Sequence, residues 1–140
     1  MNFHRSLPVL AWIRLLRVAR KIGHSGAQHI TCYGLSDGLF DVLSQIASDE
    51  GLTQQELADQ LQVTKGNVSQ LLTKLEEREL VEKRQEGRVK YIYLTNAGRA
   101  LLAEIVPQHD DFIAERMAHL SDEELKQLNA LLRKLDKGLE

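Results

Sequence analysis

Residues 51–95, GLTQQELADQLQVTKGNVSQLLTKLEERELVEKRQEGRVKYIYLT, decide the fold of this 140-residue chain. Thr53, followed three residues later by Glu56, has the pattern of a capping box and predicts the start of a first helix. Thr64 has the pattern of a second N-cap and predicts another helix after a short break. Both helices carry apolar residues at three-and-four spacing, namely Leu57, Ala58 and Leu61 in the first and Val68, Leu71, Leu72 and Leu75 in the second. The stretch therefore predicts two packed helices joined by a tight turn.

Two alternating segments after the second helix predict a β-hairpin. The strands are expected over residues 80–84 and 88–94, with Gln-Glu-Gly at residues 85–87 as the turn between them. Two short helices followed at once by a hairpin are the pattern of a winged helix-turn-helix. We therefore predict a mainly α fold with one small β-hairpin.

The outward side of the second helix has the composition of a surface that binds DNA. It carries two lysines, several amide and hydroxyl side chains and no carboxylate: Lys65, Gly66, Asn67, Ser69, Gln70, Thr73 and Lys74. Phosphates attract lysine and arginine and repel carboxylates, whereas amides and hydroxyls donate to and accept from base edges. The acidic residues Glu76, Glu77 and Glu79 occur only where the helix leaves this face. We call the seven outward residues, Lys65, Gly66, Asn67, Ser69, Gln70, Thr73 and Lys74, the reading face.

Different members of this surface have different expected roles. Lys65, Asn67, Ser69 and Gln70 are the candidates for reading bases, and Gly66 would let the backbone approach DNA closely. Basic residues around the hairpin tip are placed to enter a minor groove or to bind phosphate. The expected phosphate or wing contacts are Thr53, Gln54, Lys74, Arg84, Arg88 and Lys90, and Thr64 and Thr73 complete the predicted DNA-binding set.

The two ends of the chain are predicted to be helical, with broad apolar stripes. The first helix is expected over residues 3–22. A long helix is expected over residues 100–120, interrupted and kinked at Pro107, and Ser121 with Glu124 caps a last helix. These stripes are wider than one small winged domain can bury, so a second copy of the chain is expected to cover them. The alternative is a monomer in which both ends fold back on their own core.

A homodimer of this kind has a simple organisation. Residues 1–34 would supply an N-terminal dimerisation helix, residues 35–95 the DNA-binding lobe and residues 96–140 the C-terminal dimerisation helices. The two recognition helices would then lie roughly 34–36 Å apart, so the operator should be an inverted repeat with half-sites about 10 bp apart, centre to centre.

The charge of the chain is distributed unevenly, although the formal net charge is only −2. Residues 1–36 carry five bases and no acid, and residues 37–63 carry six acids and no base. Residues 64–94 hold seven bases against five acids, and residues 95–140 hold six bases against nine acids. Binding to phosphate depends on the charge presented locally, so a weakly acidic chain can still bind DNA, with an affinity that falls as salt rises.

The sequence resembles the multiple-antibiotic-resistance regulator (MarR) family of bacterial transcription factors over nearly its whole length. The resemblance implies that the helix from Thr64 is the recognition helix and that Arg88 is the wing arginine. It also implies a crevice between the dimer helices and the winged lobe, where a small molecule releases the DNA. Three features depart from the family pattern: Glu86 stands where the family usually has Asp, two residues before the wing arginine, the hairpin looks short, and Glu79 stands where the family usually has glycine. The resemblance is carried by Leu57-Ala58, Leu61, residues 63–76, Leu80-Val81, Arg88, Leu94-Thr95, Gly98 and residues 120–125.

The sequence leaves the regulation of such a protein open. Trp12, Tyr33 and Phe40 are candidate walls of a ligand pocket, and core packing explains each of them equally well. Cys32 is the only cysteine, so the chain has no internal disulfide. It is interpreted as a packed or incidental residue, with an oxidant-sensing thiol as one alternative. A metal site built from His24, His29, Cys32 and His109 is the other, although the spacing fits no standard ligand pattern.

Other classes of protein fit the sequence less well. It has no Gly-rich phosphate loop, His-Glu-x-x-His or Gly-x-Ser-x-Gly motif, so we expect neither an enzyme nor a bound cofactor. No segment has the apolar length of a membrane span, and the N-terminus does not read as a signal peptide, so a cytoplasmic location is expected. A winged helix used only for protein contacts would carry apolar or acidic residues on its second helix. We therefore expect a homodimeric repressor of a double-stranded DNA operator.

Overall fold

The computed structural model describes residues 4–140, without the side chains of residues 25–29. The described part is mainly helical, with one antiparallel hairpin, as the sequence predicts. The elements, in chain order, are α1 (Leu7–Thr31), α2 (Asp37–Ser48), α3 (Gln54–Leu61), α4 (Lys65–Glu77), β1 (Val81–Glu86), β2 (Val89–Leu94), α5 (Asn96–Arg116) and α6 (Asp122–Gly138).

Hydroxyl side chains begin the helices at the predicted places. The Oγ1 atom of Thr53 accepts from the backbone N–H of Glu56 (3.2 Å), and that of Thr64 accepts from Asn67 (3.1 Å). Ser121 and Glu124 form a complete capping box. The predicted box at Thr53 was wrong in one bond, because the Glu56 carboxylate accepts from the Thr53 hydroxyl (3.0 Å) instead of the Thr53 backbone.

The helix-turn-helix is held together by the predicted apolar faces. Leu57 in α3 and Val68, Leu72 and Leu75 in α4 are fully or almost fully buried. They pack in one cluster with Leu43 and Ile46 of α2 and with Ile92 and Leu94 of β2, while Leu61 and Leu71 reach only its edge. Burying such a side chain stabilises a fold by about 1.5–3 kcal/mol. This stripe fixes which side of α4 points away from the protein.

The wing differs from the prediction in its turn. β1 and β2 pair from Val81 opposite Leu94 to Glu86 opposite Val89, so only Gly87 and Arg88 form the turn. Gly87 has φ +64°, which suits the first position of a two-residue hairpin turn. The predicted turn at residues 85–87 was therefore placed too early, because the strands stay paired up to this tight connection. Arg88 consequently lies at the very tip.

The base of the wing is tied to the segment before α3. Ile92 of β2 accepts a backbone hydrogen bond from Gly51 (2.9 Å) and donates one to Leu52 (2.9 Å). This short bridge pairs the other edge of β2 with the chain that enters the helix-turn-helix. Wing and helix pair therefore form one lobe.

The terminal helices have different bounds from those expected. α1 continues to Thr31 instead of ending at residue 22, and α5 begins at residue 96 instead of 100 and ends at 116. α5 also runs through Pro107 without the predicted interruption. A proline removes one backbone hydrogen bond, and here buried residues on both sides of it, Ile105 and Phe112, hold the helix against its neighbours.

Both ends of the chain expose apolar side chains. α6 buries none of its residues, and Leu131 and Leu135 are 65% and 52% exposed. On α1, Leu7 and Trp12 are 78% and 58% exposed. Within residues 4–140, no helix combines the length and the apolar character needed to cross a membrane.

Candidate nucleic-acid interface

The reading face is exposed over its whole length. The apolar stripe of α4 faces the core, and all seven residues of the reading face are exposed to solvent. No carboxylate lies in the first turn of α4, whereas α3 has Glu56 there. The free N–H groups at a helix N-terminus carry partial positive charge, and Lys65 adds a full one. The surface thus offers positive charge at its start and neutral polar groups along its length.

The polar side chains of the reading face differ in how far they are already engaged. Thr73 donates its hydroxyl to the backbone oxygen of Ser69 (2.9 Å), so this group is used within the helix. In the described part of the chain, no hydrogen bond engages the side-chain amides of Asn67 and Gln70. These two amides therefore have their donors and acceptors available to a base edge.

Thr53 and Gln54 support the reading face from the preceding helix. Thr53 is occupied as the cap of α3, and the side-chain amide of Gln54 donates to the backbone oxygen of Lys65 (3.3 Å). This last bond links the first turns of α3 and α4. Gly66 follows Lys65, and a Cβ added there would meet no atom within 4 Å. The fold itself does not require glycine at this position.

The basic residues of the wing do not share one surface. The strand register places Arg84 opposite Tyr91 and Glu82 opposite Tyr93. These four side chains lie on one side of the hairpin. Lys90, opposite Gln85, lies on the other side, and Arg88 lies in the turn. Arg84 and Lys90 therefore do not share one face of the hairpin, because strand alternation turns successive side chains to opposite faces.

Arg84 is also engaged within the protein. Its guanidinium donates to the Glu82 carboxylate at 2.7 and 3.0 Å and lies 4.1 Å from the centre of the Tyr93 ring. The Glu82 carboxylate raises the pKa of Arg84 above its usual value. Arg88 and Lys90 are exposed and make no ion pair with any described residue, so these two wing cations are available to phosphate.

An ion pair that the sequence did not reveal fixes the base of the wing. The Glu50 carboxylate accepts from Arg99 at 2.7 and 2.8 Å and from the backbone N–H of Leu94 at 3.0 Å. The Arg99 guanidinium is the main reason that the pKa of Glu50 lies below its usual value. These partners are 49 residues apart in the chain, and no local pattern marks them as a pair.

Two cavities are lined by residues outside α4, and they share one wall. The larger, about 680 Å³, lies mainly between α2 and α5, and the smaller, about 380 Å³, adds residues of α1. Phe40 and His109 line both, with ring centres 4.9 Å apart. Among the described atoms, His109 Nδ1 and Ser44 Oγ are buried without a hydrogen-bond partner. Burial, together with the nearby Asp37, raises the pKa of Asp41 in the smaller cavity.

The predicted pocket residues are only partly brought together. Phe40 lines both cavities, whereas Trp12 and Tyr33 line neither. Trp12 lies exposed on the first half of α1, and the hydroxyl of the half-buried Tyr33 accepts from Gln108 of α5 (2.9 Å). In the single chain Trp12 is uncovered and Tyr33 packs beside α5, so neither lines these two cavities, and their place in a ligand pocket stays a prediction.

The thiol and the histidines do not form a common site in the described part of the molecule. Cys32 is exposed in the connection after α1, His24 is exposed on α1, and His109 packs on Phe40. The side chain of His29 is outside the described set. No group of three metal-binding side chains occurs among the described residues.

Comparison with known proteins agrees with this geometry. The model of the MarR family matches residues 33–90, which span the helix-turn-helix and most of the wing. An uncharacterized HTH-type transcriptional regulator of Bacillus cereus is 34% identical over 132 residues, which cover 94% of this chain and 90% of that protein.

Solved structures show the same fold. The Staphylococcus aureus MepR–DNA complex has a TM-score of 0.78 at 27% identity, covering 90% of this chain and 94% of that one. Sco3205 of Streptomyces coelicolor, a MarR family transcriptional regulator solved in complex with DNA, has a TM-score of 0.84 at 21% identity, covering 99% and 94%. The chain therefore belongs to the MarR family of helix-turn-helix transcriptional regulators.

Proposed function

We propose that this protein binds double-stranded DNA through the reading face of α4 and regulates transcription from the bound site. The observation that carries the proposal is the exposed, acid-free surface from Lys65 to Lys74, held outward by the buried stripe of Val68, Leu72 and Leu75. A face of this composition suits the major groove, since it combines cations for phosphate with amides for base edges. The DNA complexes of MepR and Sco3205, two similar proteins, support the same use of this fold.

Base reading is assigned to the middle of this face. Asn67 and Gln70 lie on successive turns of α4, and their side-chain amides are the best placed to bind base edges, with Lys65 and Ser69 beside them. Thr64, Lys74 and the second amide N–H of Gln54 would hold the lobe on the phosphates, and Arg88 would reach the backbone or the minor groove from the wing tip. Thr53 and Thr73 would lie beside the DNA with their hydroxyl hydrogens already bonded within the protein. Arg84 and Lys90 would act at the sides of the hairpin.

The protein would work as a homodimer. The apolar side chains exposed on α1 and α6 need cover, and burying apolar surface is worth roughly 25 cal/mol per Å². Leu7, Trp12, Leu131 and Leu135 lie outside the winged lobe, so a second copy can cover them without touching the reading face. Such a dimer would present two recognition helices to an inverted repeat with half-sites about 10 bp apart.

A small molecule would release the DNA and so relieve repression. The cavities beside Phe40 and His109 have the size of a ligand site, and the buried, unpartnered Nδ1 and Oγ atoms supply groups that would orient a ligand. They lie between α2 of the lobe and α5, which leads to the proposed dimer helices. A ligand bound there would be placed to shift the lobe relative to the dimer.

The test is a selection of bound sequences from random duplexes, with the oligomeric state measured by analytical ultracentrifugation. The proposal predicts a dimer that enriches an inverted repeat with half-sites about one helical turn apart. Recovery of unrelated sequences at low salt, or a monomer at micromolar concentration, would contradict it. A thermal-shift screen of small molecules, repeated on the DNA complex, tests the regulatory part, because a ligand specific for the folded state raises the melting temperature.

A further inference from the structure

A side chain at the end of the recognition helix reaches back to the end of the first helix. Arg78, the C-cap residue of α4, donates from Nη1 to the backbone oxygen of Gly34 (2.9 Å) and from Nη2 to that of Tyr33 (3.0 Å). Both oxygens lie in the turn that directly follows α1, where helix carbonyls carry partial negative charge. The guanidinium therefore clamps α4 to the connection between α1 and α2.

The geometry of this clamp depends on arginine. Two N–H groups of one planar fork reach two successive backbone oxygens, which fixes the orientation of the side chain as well as its distance. Gly34 has φ +72° and forms the turn that presents these oxygens. A lysine would keep the charge but could not reproduce the paired bonds in the same geometry.

The same connection continues to α5. Tyr33 offers its backbone oxygen to Arg78, and its hydroxyl accepts from the side-chain amide of Gln108 (2.9 Å). One residue thus links the end of α4 to both α1 and α5. These two helices lead to the surfaces that the proposed dimer would use.

We propose that Arg78 is a positioning residue that sets the orientation of the recognition helix relative to the dimer helices. α4 is about 20 Å long at 1.5 Å per residue, so Arg78 lies at the opposite end from Lys65 and Asn67. It governs operator recognition by holding α4 at the angle at which both reading faces of a dimer meet their half-sites. In its DNA-binding part this inference rests on the proposed function.

The first test compares two matched variants. Arg78→Lys removes the paired bonds of the clamp. Arg99→Lys is the matched control, because it makes the same change at the contact with Glu50, where one lysine ammonium group can keep the ion pair. Both keep the charge, and both should lower the melting temperature by a few degrees at most, since each arginine is exposed. We expect Arg78→Lys to weaken operator binding about tenfold, as a misplaced contact does. Binding to a random duplex, and its salt dependence, should change less than twofold.

The inference would be overturned if Arg78→Lys still distinguished the operator from a random duplex as well as the wild type does. If Arg78→Lys keeps the wild-type ratio of operator to random-duplex affinity, or if Arg99→Lys loses that ratio equally, Arg78 has only a structural role. Tyr33→Phe serves as a second variant that keeps both backbone oxygens and removes only the link to Gln108. It should reduce discrimination in the same direction, by a smaller factor.

The second test needs no DNA, so it separates this inference from the proposed function. Nitroxide labels are placed on α1 and α4 through Arg20→Cys and Ser69→Cys in a Cys32→Ser background, diluted with unlabelled protein. Double electron–electron resonance then measures the distance between the two helices within one chain. We expect Arg78→Lys to broaden the distance distribution and Arg99→Lys to leave it unchanged. An unchanged distribution for Arg78→Lys overturns the inference even if the protein binds an operator, and a broadened one upholds the positioning role even if it binds none.

Discussion

Helices α4 and α6 carry leucines at the same helical spacing and use them in opposite ways. In α4 the apolar stripe is buried within the lobe, with Leu72 and Leu75 fully covered, and the polar face is free. In α6 the apolar stripe is itself exposed, with Leu131 65% and Leu135 52% accessible. The difference separates two proposed functions: a helix whose stripe is covered by its own chain can offer its polar side to DNA, whereas a helix whose stripe is uncovered is available to a second chain.

The largest expected effect comes from truncating one leucine in each helix. Leu72→Ala should lower the free energy of unfolding by about 2–5 kcal/mol at any protein concentration, because it leaves a cavity in the core. Leu135→Ala should act through dimer dissociation, so its effect on urea denaturation should shrink as the protein is diluted. A loss from Leu135→Ala that is large and independent of concentration would show that α6 packs on its own chain.

Removing one polar side chain from each helix tests whether the polar side of α4, and not that of α6, reads DNA. Gln70→Ala on α4 should weaken operator binding by about 1–3 kcal/mol and hardly change binding to random DNA, because a base contact is lost. Gln127→Ala, an exposed amide on α6, is the matched control and should change neither. Fluorescence anisotropy with the two duplexes measures both affinities. Equal losses on both duplexes for Gln70→Ala would refute base reading.

The connection from α4 to the wing contains a strained residue that can be relieved. Glu79 has φ +57°, a conformation that glycine adopts at no steric cost, so Glu79→Gly should stabilise the fold by about 1 kcal/mol. Glu77→Gly, at the last residue of α4, should destabilise the fold by at most about 1 kcal/mol. Urea denaturation measures both. If the two substitutions shift stability in the same direction, the left-handed conformation at residue 79 is not the cause.

The wing gives a smaller effect that depends on salt. Arg88→Ala should reduce the slope of log K against log salt by about 1, because one phosphate contact is lost. Arg84→Ala should change the slope less, since Arg84 is paired with Glu82 and stacked on Tyr93. Titrations at several salt concentrations give both slopes. An unchanged slope for Arg88→Ala would mean that this hairpin does not reach the backbone.

The smallest expected effect is a dependence of stability on pH. Arg99 lowers the pKa of Glu50 in the folded state, so the pair stabilises the protein above the ordinary pKa of glutamate. That stabilisation should be lost as pH falls through the lowered pKa, because the carboxylate becomes protonated. Glu50→Gln should therefore reduce stability at pH 7 by at most about 1 kcal/mol and should approach wild type in acid. If the stabilities of Glu50→Gln and of the wild type changed in parallel with pH, the Glu50–Arg99 pair would contribute nothing to stability.

Features encoded within a few residues could be predicted from the sequence. The caps at Thr53 and Thr64, the buried stripe of α4 and its acid-free reading face depend on local spacing, and the structure has each of them in its predicted place. The wing was predicted in outline, and its turn was misplaced by two residues at most because strand pairing, rather than the turn sequence alone, sets where it ends.

Features that depend on distant partners could not be predicted. Arg78 meets Tyr33 across 45 residues and Arg99 meets Glu50 across 49, and neither pair has a signature in the chain. Pro107 suggested an interruption by its local chemistry, but packing on both sides keeps α5 continuous. The exposure of Trp12 on its own chain could not be predicted either, since apolar character alone does not tell which surface covers a side chain.

The central claim is that the outer side of α4 enters DNA twice, once from each subunit. An iron chelate attached through Gln70→Cys in a Cys32→Ser background cleaves DNA only where this side chain lies close to it. The account predicts two clusters of cleavage about 10 bp apart on the selected operator, and none from the same chelate at Gln127→Cys on α6. Cleavage from α6, or none from residue 70 on a duplex that the labelled protein binds, would contradict it.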